Sequence, residues 1–149
     1  MIIEIWTKKK YSANEETAFL GRLGRAGLKA GAARLSRLYR VDSALGRAEV
    51  EKLASGLLAD PITENYSLVP GKTGFGGGWR VEVWLKDSVT DVVGESVKEA
   101  ITGVLGKDPG AVRFGHAYYV ACDSAVKLRH AVSKTLVNEI VNKFGIEKI

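Results

Sequence analysis

The chain is 149 residues long and 16.1 kDa, room for one domain or two very small ones and too little for a complete ATP-dependent synthetase. With 46% hydrophobic and 26% charged residues it has neither a disordered nor a fibrous composition, and no run of about 18 apolar residues offers a membrane span. A single cysteine, Cys122, excludes an internal disulfide and a thiolate metal cluster, and the net charge of +5 divides into +3 over residues 1–70 and +2 over residues 71–149, too even to mark a nucleic-acid footprint by itself.

Met1 to Trp6 carry a charge at the fourth residue and no apolar run behind it, which argues against a secretory leader and makes the cytoplasm the expected compartment. Residues 2–7 alternate apolar and polar side chains and predict a strand with one buried face. Ser12 or Asn14 can cap a first helix, with Glu15 and Glu16 at its positive end. Ala18, Phe19 and Leu23 form its apolar stripe before Gly27 ends it. A second strand is expected over 34–40, then a helix over 47–59 packed by Val50, Leu53, Ala54, Leu57 and Leu58, then a short strand over 65–69. Residues 69–79 hold five glycines and a proline, the composition of a flexible connector. Its Gly71-Lys72-Thr73 is no phosphate loop, because Tyr66 stands where that loop needs its first glycine and a glycine run replaces the helix. A strand over 80–85 follows, then a helix from Asp91, striped by Val93, Val97, Ala100, Ile101 and Val104 and stopped near Gly106. The last elements are a strand over 112–121, a helix over 125–143 and a strand over 146–149.

Ile3-Glu4-Ile5-Trp6-Thr7-Lys8 returns as Val81-Glu82-Val83-Trp84-Leu85-Lys86, an offset of 78. The same gapless offset sets Phe19 on Val97, Leu23 on Ile101, Leu58 on Leu136, Ile62 on Ile140 and Tyr66 on Phe144. Two homologous units are therefore expected, residues 1–68 and 80–149, joined by 69–79. Each runs strand-helix-strand-helix-strand, an α+β unit of two layers with its helices on one face of a mixed or antiparallel sheet. The helix-free faces of the two sheets, or their edges, would cover one another. Trp6 and Trp84 point away from their own unit's core, so each is expected to pack against the other unit.

The chemistry-bearing residues are few. His116 and His130, fourteen residues apart, lack zinc spacing, and His116 reads as a packing or interface histidine. Cys122 has no base partner that the sequence names. Asp87 and Asp91 lack a third carboxylate for a cation, and Asp91 reads as a helix cap. No catalytic, cofactor-binding or metal-binding residue is expected. Arg34, Arg37 and Arg40 around Tyr39 keep open a nucleic-acid-binding α+β module. A regulatory module holding a small molecule between the units is a further alternative.

Arg80-Val81-Glu82-Val83-Trp84-Leu85-Lys86-Asp87-Ser88-Val89-Thr90-Asp91, followed by Gly94-Glu95-Ser96-Val97, resembles the opening of the PurS family. There a strand runs into a Lys-Pro-Gly-Val-x-Asp loop and a helix carrying Gly-Glu-x-Val. Val112-Arg113-Phe114-Gly115-His116-Ala117-Tyr118-Tyr119 resembles the family's second strand. Leu57-Leu58-Ala59-Asp60-Pro61-Ile62-Thr63-Glu64-Asn65-Tyr66 resembles its terminal Leu-Leu-Ala-Asn-Pro-Val-Ile-Glu-x-Tyr, so the halves carry complementary parts of one signature. Arg40-Val41-Asp42 and Lys8-Lys9-Lys10 resemble the PurS-like N-terminal region of the long, fused form of the same enzyme. Asp87-Ser88 replaces the Pro-Gly of the loop, and Asn138-Glu139 replaces the usual Asn-Pro.

The resemblance implies a tandem pair of PurS-like units, a pseudo-dimer in one chain. It implies a non-catalytic subunit or N-terminal domain of phosphoribosylformylglycinamidine synthase in purine biosynthesis, bridging a PurL-type ATP-dependent synthetase and a PurQ-type glutaminase. ATP and magnesium would belong to the synthetase, with no cofactor in this chain. Contacts with partners or between units are expected at Trp6, Trp84, Lys86, Asp91, Arg113, Gly115 and His116, with Arg113 free to meet a partner because alternation turns it away from Phe114 and His116.

Overall fold

Alternation along residues 2–7 buries Ile3 and Ile5 on one side and Glu4 and Trp6 on the other. The same period runs through the long strands of the computed structural model, which describes residues 1–42 and 45–149. In chain order the elements are β1 (Ile2–Thr7), a 3-10 turn (Lys9–Tyr11), α1 (Ala13–Arg25), β2 (Ala32–Val41), α2 (Arg47–Leu53), a π turn (Ala54–Leu58), β3 (Glu64–Ser67), β4 (Trp79–Leu85), α3 (Val92–Leu105), β5 (Val112–Ala121), α4 (Ala125–Thr135) and β6 (Asn142–Lys148). The strands form one antiparallel sheet in the order β3-β1-β2-β5-β4-β6. The class is α+β, with four α-helices over a six-stranded sheet among the described residues. The halves meet edge to edge, along ten paired residues from Ala32↔Ala121 to Val41↔Val112.

The sheet order is symmetric about the β2–β5 pair, with β3-β1-β2 mirrored by β6-β4-β5. Ile5 faces Arg37 and Tyr66, while Val83 faces His116 and Phe144. The first and last strands of each half thus correspond at 78, but Arg37 and His116 at 79, so the match is not gapless. The second helices also end earlier than their stripes predicted. Five-residue hydrogen bonds, Ala59 N–H to Ala54 O and Val137 N–H to Val132 O, unwind each one. Asp60 and Asn138 then accept the N–H groups of Ile62 and Ile140 in matching turns. Leu136 and Val137 still pack on the core, but Ile140 is 81% exposed. The strand expected over 146–149 begins at Asn142 for this reason.

Two cores lie between sheet and helices, and each draws on both halves. Ile3, Ile5, Tyr39, Val41, Val50 and Leu53 pack with Ile101 of α3 and Val112 of β5. Val81, Val83, Val120, Leu128 and Val132 pack with Phe19 and Leu23 of α1. The first helix of each half therefore covers strands of the other. A fully buried side chain of this kind contributes about 1.5–3 kcal/mol, so the exchange binds the halves together.

The helix-free side is not bare. Leu38, Trp84, Ala117 and Tyr119 form a third apolar cluster there, with Phe75 of the connector packed against it. The glycine-rich segment, expected to be a loose linker, lies on this face. Gly71 N–H donates to Glu4 Oε1 at 3.0 Å, and Thr73 O accepts from Arg34. Gly78, at φ 99°, passes so close to β5 that a Cβ would stand 2.4 Å from Val120 O. Glycine serves backbone approach there, and not slack.

Candidate functional site

The helix-free face gathers the most polar chemistry into the least water. Alternation turns Glu4 and Trp6 of β1, Arg80, Glu82 and Trp84 of β4, and Tyr119 of β5 to this side. Glu4 and Arg80 stand three strands apart, yet their side chains meet at 3.2 Å, so the twisted sheet curls around them. Glu4, 0% exposed, also accepts from Tyr119 Oη at 2.6 Å. Arg80, 3% exposed, donates Nε–H to Tyr119 Oη at 3.1 Å and pairs with Glu82, whose other oxygen accepts from Trp84 Nε1 at 2.6 Å. Burial opposes the Arg80 charge, but its bonds to Tyr119 and Glu82 and the field of Glu4 outweigh that and hold it protonated beyond arginine's ordinary range. Burial, together with the bond to Glu4, pushes the Tyr119 hydroxyl up to about 12. Each polar group of the network thus has its partner within it, which gives the face a fixed shape.

Of the residues expected at contacts, Trp84, Asp91, Gly115 and His116 line one hollow, with Lys86 and Arg113 at the loop beside it. Trp84 and Gly115 meet: the ring lies where a Gly115 Cβ would stand 2.6 Å from Cε3. Trp84 also reaches the first half through Leu38 and lies under Arg40, whose guanidinium is 5.3 Å from its ring centre. Along the sheet, Trp6 is flanked by Ser36 and Asn65 of the first half, just as Trp84 is flanked by Gly115 and Lys143 of the second.

Lys86, Asp91 and Arg113 form a second group at the loop from β4 to α3. Asp91 caps α3 by accepting Gly94 N–H at 2.8 Å, and its second oxygen accepts Phe114 N–H at 2.7 Å. Arg113 donates to Leu85 O and Lys86 O, both at 3.1 Å, with Nε 3.8 Å from Asp91. The expectation of a free arginine is therefore corrected: the guanidinium is spent on holding the loop, because the turn after β4 leaves two carbonyls within its reach. Arg113→Ala should destabilise the fold by about 1–2 kcal/mol, the worth of charge-assisted hydrogen bonds. Urea melts check this, and a change below about 0.5 kcal/mol, usual for a surface residue, would contradict the clamp.

His116 lies on the helix side, directly across the β2–β5 seam from Arg37. It packs between Phe114 and Tyr118, with ring centres 4.9 and 5.9 Å away. Burial, helped by the Arg37 charge, pulls its pKa below the ordinary 6.5. Below that value the unfolded chain takes up a proton that the folded chain resists, so stability falls as pH drops from about 6.5. His116→Gln should flatten the melting temperature between pH 7 and 5.5. An unchanged slope would show that His116 does not carry it.

The arginines that favoured a nucleic-acid face divide between two faces. Arg34 and Arg40 lie over Phe75 and Trp84 on the helix-free side, whereas Arg37 pairs with Glu64 among the helices. Glu4, Arg80 and Tyr119 were missed, although the alternation that singled out Trp6 and Trp84 placed Glu4 and Arg80 beside them. Among the described residues no group of three or more His, Cys, Asp or Glu side chains is set to hold a metal ion, and no helix is long and apolar enough to cross a membrane.

No family model and no curated protein matches the chain. Among solved structures it is similar to the purS subunit of phosphoribosylformylglycinamidine synthase from Thermotoga maritima, at 19% identity and a TM-score of 0.40, covering 49% of this chain and 91% of that one.

Proposed function

We propose that this chain is a non-catalytic PurS-type component of phosphoribosylformylglycinamidine synthase, and that its halves are a duplicated unit standing in for a dimer. It bridges the ATP-dependent synthetase and the glutaminase, which carry the chemistry. The observation that supports this most is where the two parts of the resembled signature fall. Leu57 and Leu58 of the first half and Val92, Val93, Ser96 and Val97 of the second line one groove of about 390 Å³. Segments that complete one signature across two halves are thus neighbours in space. The duplication is supported by repeated detail: Lys8 N–H to Thr63 O and Lys86 N–H to Val141 O, both 2.8 Å, occupy corresponding places. The internally satisfied network on the helix-free face suits a rigid scaffold.

The test mixes the purified chain with the synthetase and the glutaminase and follows them by size exclusion with light scattering. A complex containing all three, which does not form when this chain is omitted, supports the bridge. Failure of the chain to associate with either partner overturns it.

A further inference from the structure

The two halves differ in one corresponding place on the helix side. In the first half, Arg37 of β2 reaches over Ile5 of β1 to Glu64 of β3. Its guanidinium also donates to Tyr39 Oη and Leu58 O, both at 3.2 Å, so a planar ion pair closes that span. In the second half the same positions, opposite Val83 on β5 and opposite Leu85 on β6, hold His116 and Asn142. Both side chains are shorter, and a hollow of about 350 Å³ lies between them. Val83, Leu85, Phe114 and, from α3, Val92 and Val93 line it.

We infer that this hollow is a binding site for a small, neutral, planar molecule that both donates and accepts hydrogen bonds, such as a heteroaromatic amide. Its shape follows from the flat pair that closes the corresponding span in the first half. Its polarity follows from the two ends. Asn142 Oδ1 is engaged by Asn138 N–H at 3.0 Å, which leaves its amide N–H groups to donate. A neutral imidazole at His116 offers one donor and one acceptor. Among the described residues lining the hollow, Asp91 alone carries charge, and its two oxygens already accept Gly94 and Phe114 N–H. Arg37, across the seam from His116, is paired with Glu64, so neither an anion nor a cation finds an unpaired opposite charge there. The reading is independent of the bridging role.

Three probes of one size test it: nicotinamide (neutral), nicotinate (anionic) and benzamidine (cationic), titrated while the His116 ring signals are followed by NMR. Nicotinamide should produce a saturable shift at millimolar concentration, the range expected for a ligand of about ten heavy atoms. The charged probes should bind about tenfold more weakly or worse. The double substitution His116→Arg, Asn142→Glu rebuilds the ion pair of the first half and should abolish binding, followed in that variant through saturation-transfer signals of the nicotinamide itself, while the melt stays at or above that of the wild type. Should that variant fail to fold, Asn142→Ala serves instead, with nicotinamide about tenfold weaker. No saturable shift at His116, equal affinity for all three probes, or nicotinamide binding retained in a folded variant would each overturn the assignment.

Discussion

Arg80→Ala should lower the unfolding free energy by about 3–5 kcal/mol, the cost of leaving a buried carboxylate without its partner. Glu4 is fully buried three strands away and would keep only Tyr119 and the Gly71 N–H. The connector would suffer too, because Gly71 is held by the same carboxylate. Other members of the network give a graded control. Tyr119→Phe removes one hydroxyl and should cost about 1–3 kcal/mol. Glu82→Gln, at a side chain 30% exposed, should cost no more than about 1 kcal/mol. Replacing Glu4 and Arg80 together with leucine and methionine should recover much of the loss, since two apolar groups leave no orphaned charge. Urea melts read all four. A loss below about 1 kcal/mol for Arg80→Ala would mean that water reaches Glu4.

Neither half should fold alone. Residues 1–68 would lose Ile101 and Val112 from the core around Ile3, Ile5, Tyr39 and Val41, and residues 69–149 would lose Phe19, Leu23, Leu28 and Ala33 from the core around Val81, Val83 and Val120. Several side chains at about 1.5–3 kcal/mol each match the whole stability of a small domain, about 5–15 kcal/mol. The long β2–β5 pairing would also become a bare edge in each fragment. Each fragment should show a collapsed amide spectrum, and an equimolar mixture should recover the dispersion of the intact chain. A cooperative thermal melt from either fragment by itself would refute the exchanged cores.

Much of this fold could be read from local pattern. Period-two alternation located β1, β4 and β5, and Asp91 and Gly106 bounded α3 as cap and stop. The second helices were overrun because Leu136, Val137 and Ile140 continue a helical period, whereas hydrogen bonds to Val132 O and the Asn138 side chain decide where the helix stops. The exchange of α1 and α3 was hidden for another reason. A stripe such as Phe19 and Leu23 says that a face is buried, but not which half buries it. Composition misled in the connector, where Gly71, at φ 87°, gives its N–H to Glu4 and Gly78 passes close against β5. Arg113 shows the limit of alternation, which gave its side of the sheet correctly but could not show the two carbonyls that occupy it. The hollow at His116 could not be found by periodicity, because it exists only through the difference between Arg37–Glu64 and His116–Asn142.

The bridging role is tested most directly by the rate of amidine formation by the synthetase and glutaminase, with and without this chain, using glutamine and then free ammonia as the nitrogen source. If the chain is a non-catalytic bridge, the synthetase should work equally well with ammonia in both cases. With glutamine, product should then form only when the chain is present to bring the two active sites together. An undiminished glutamine-dependent rate in its absence would contradict the proposed function.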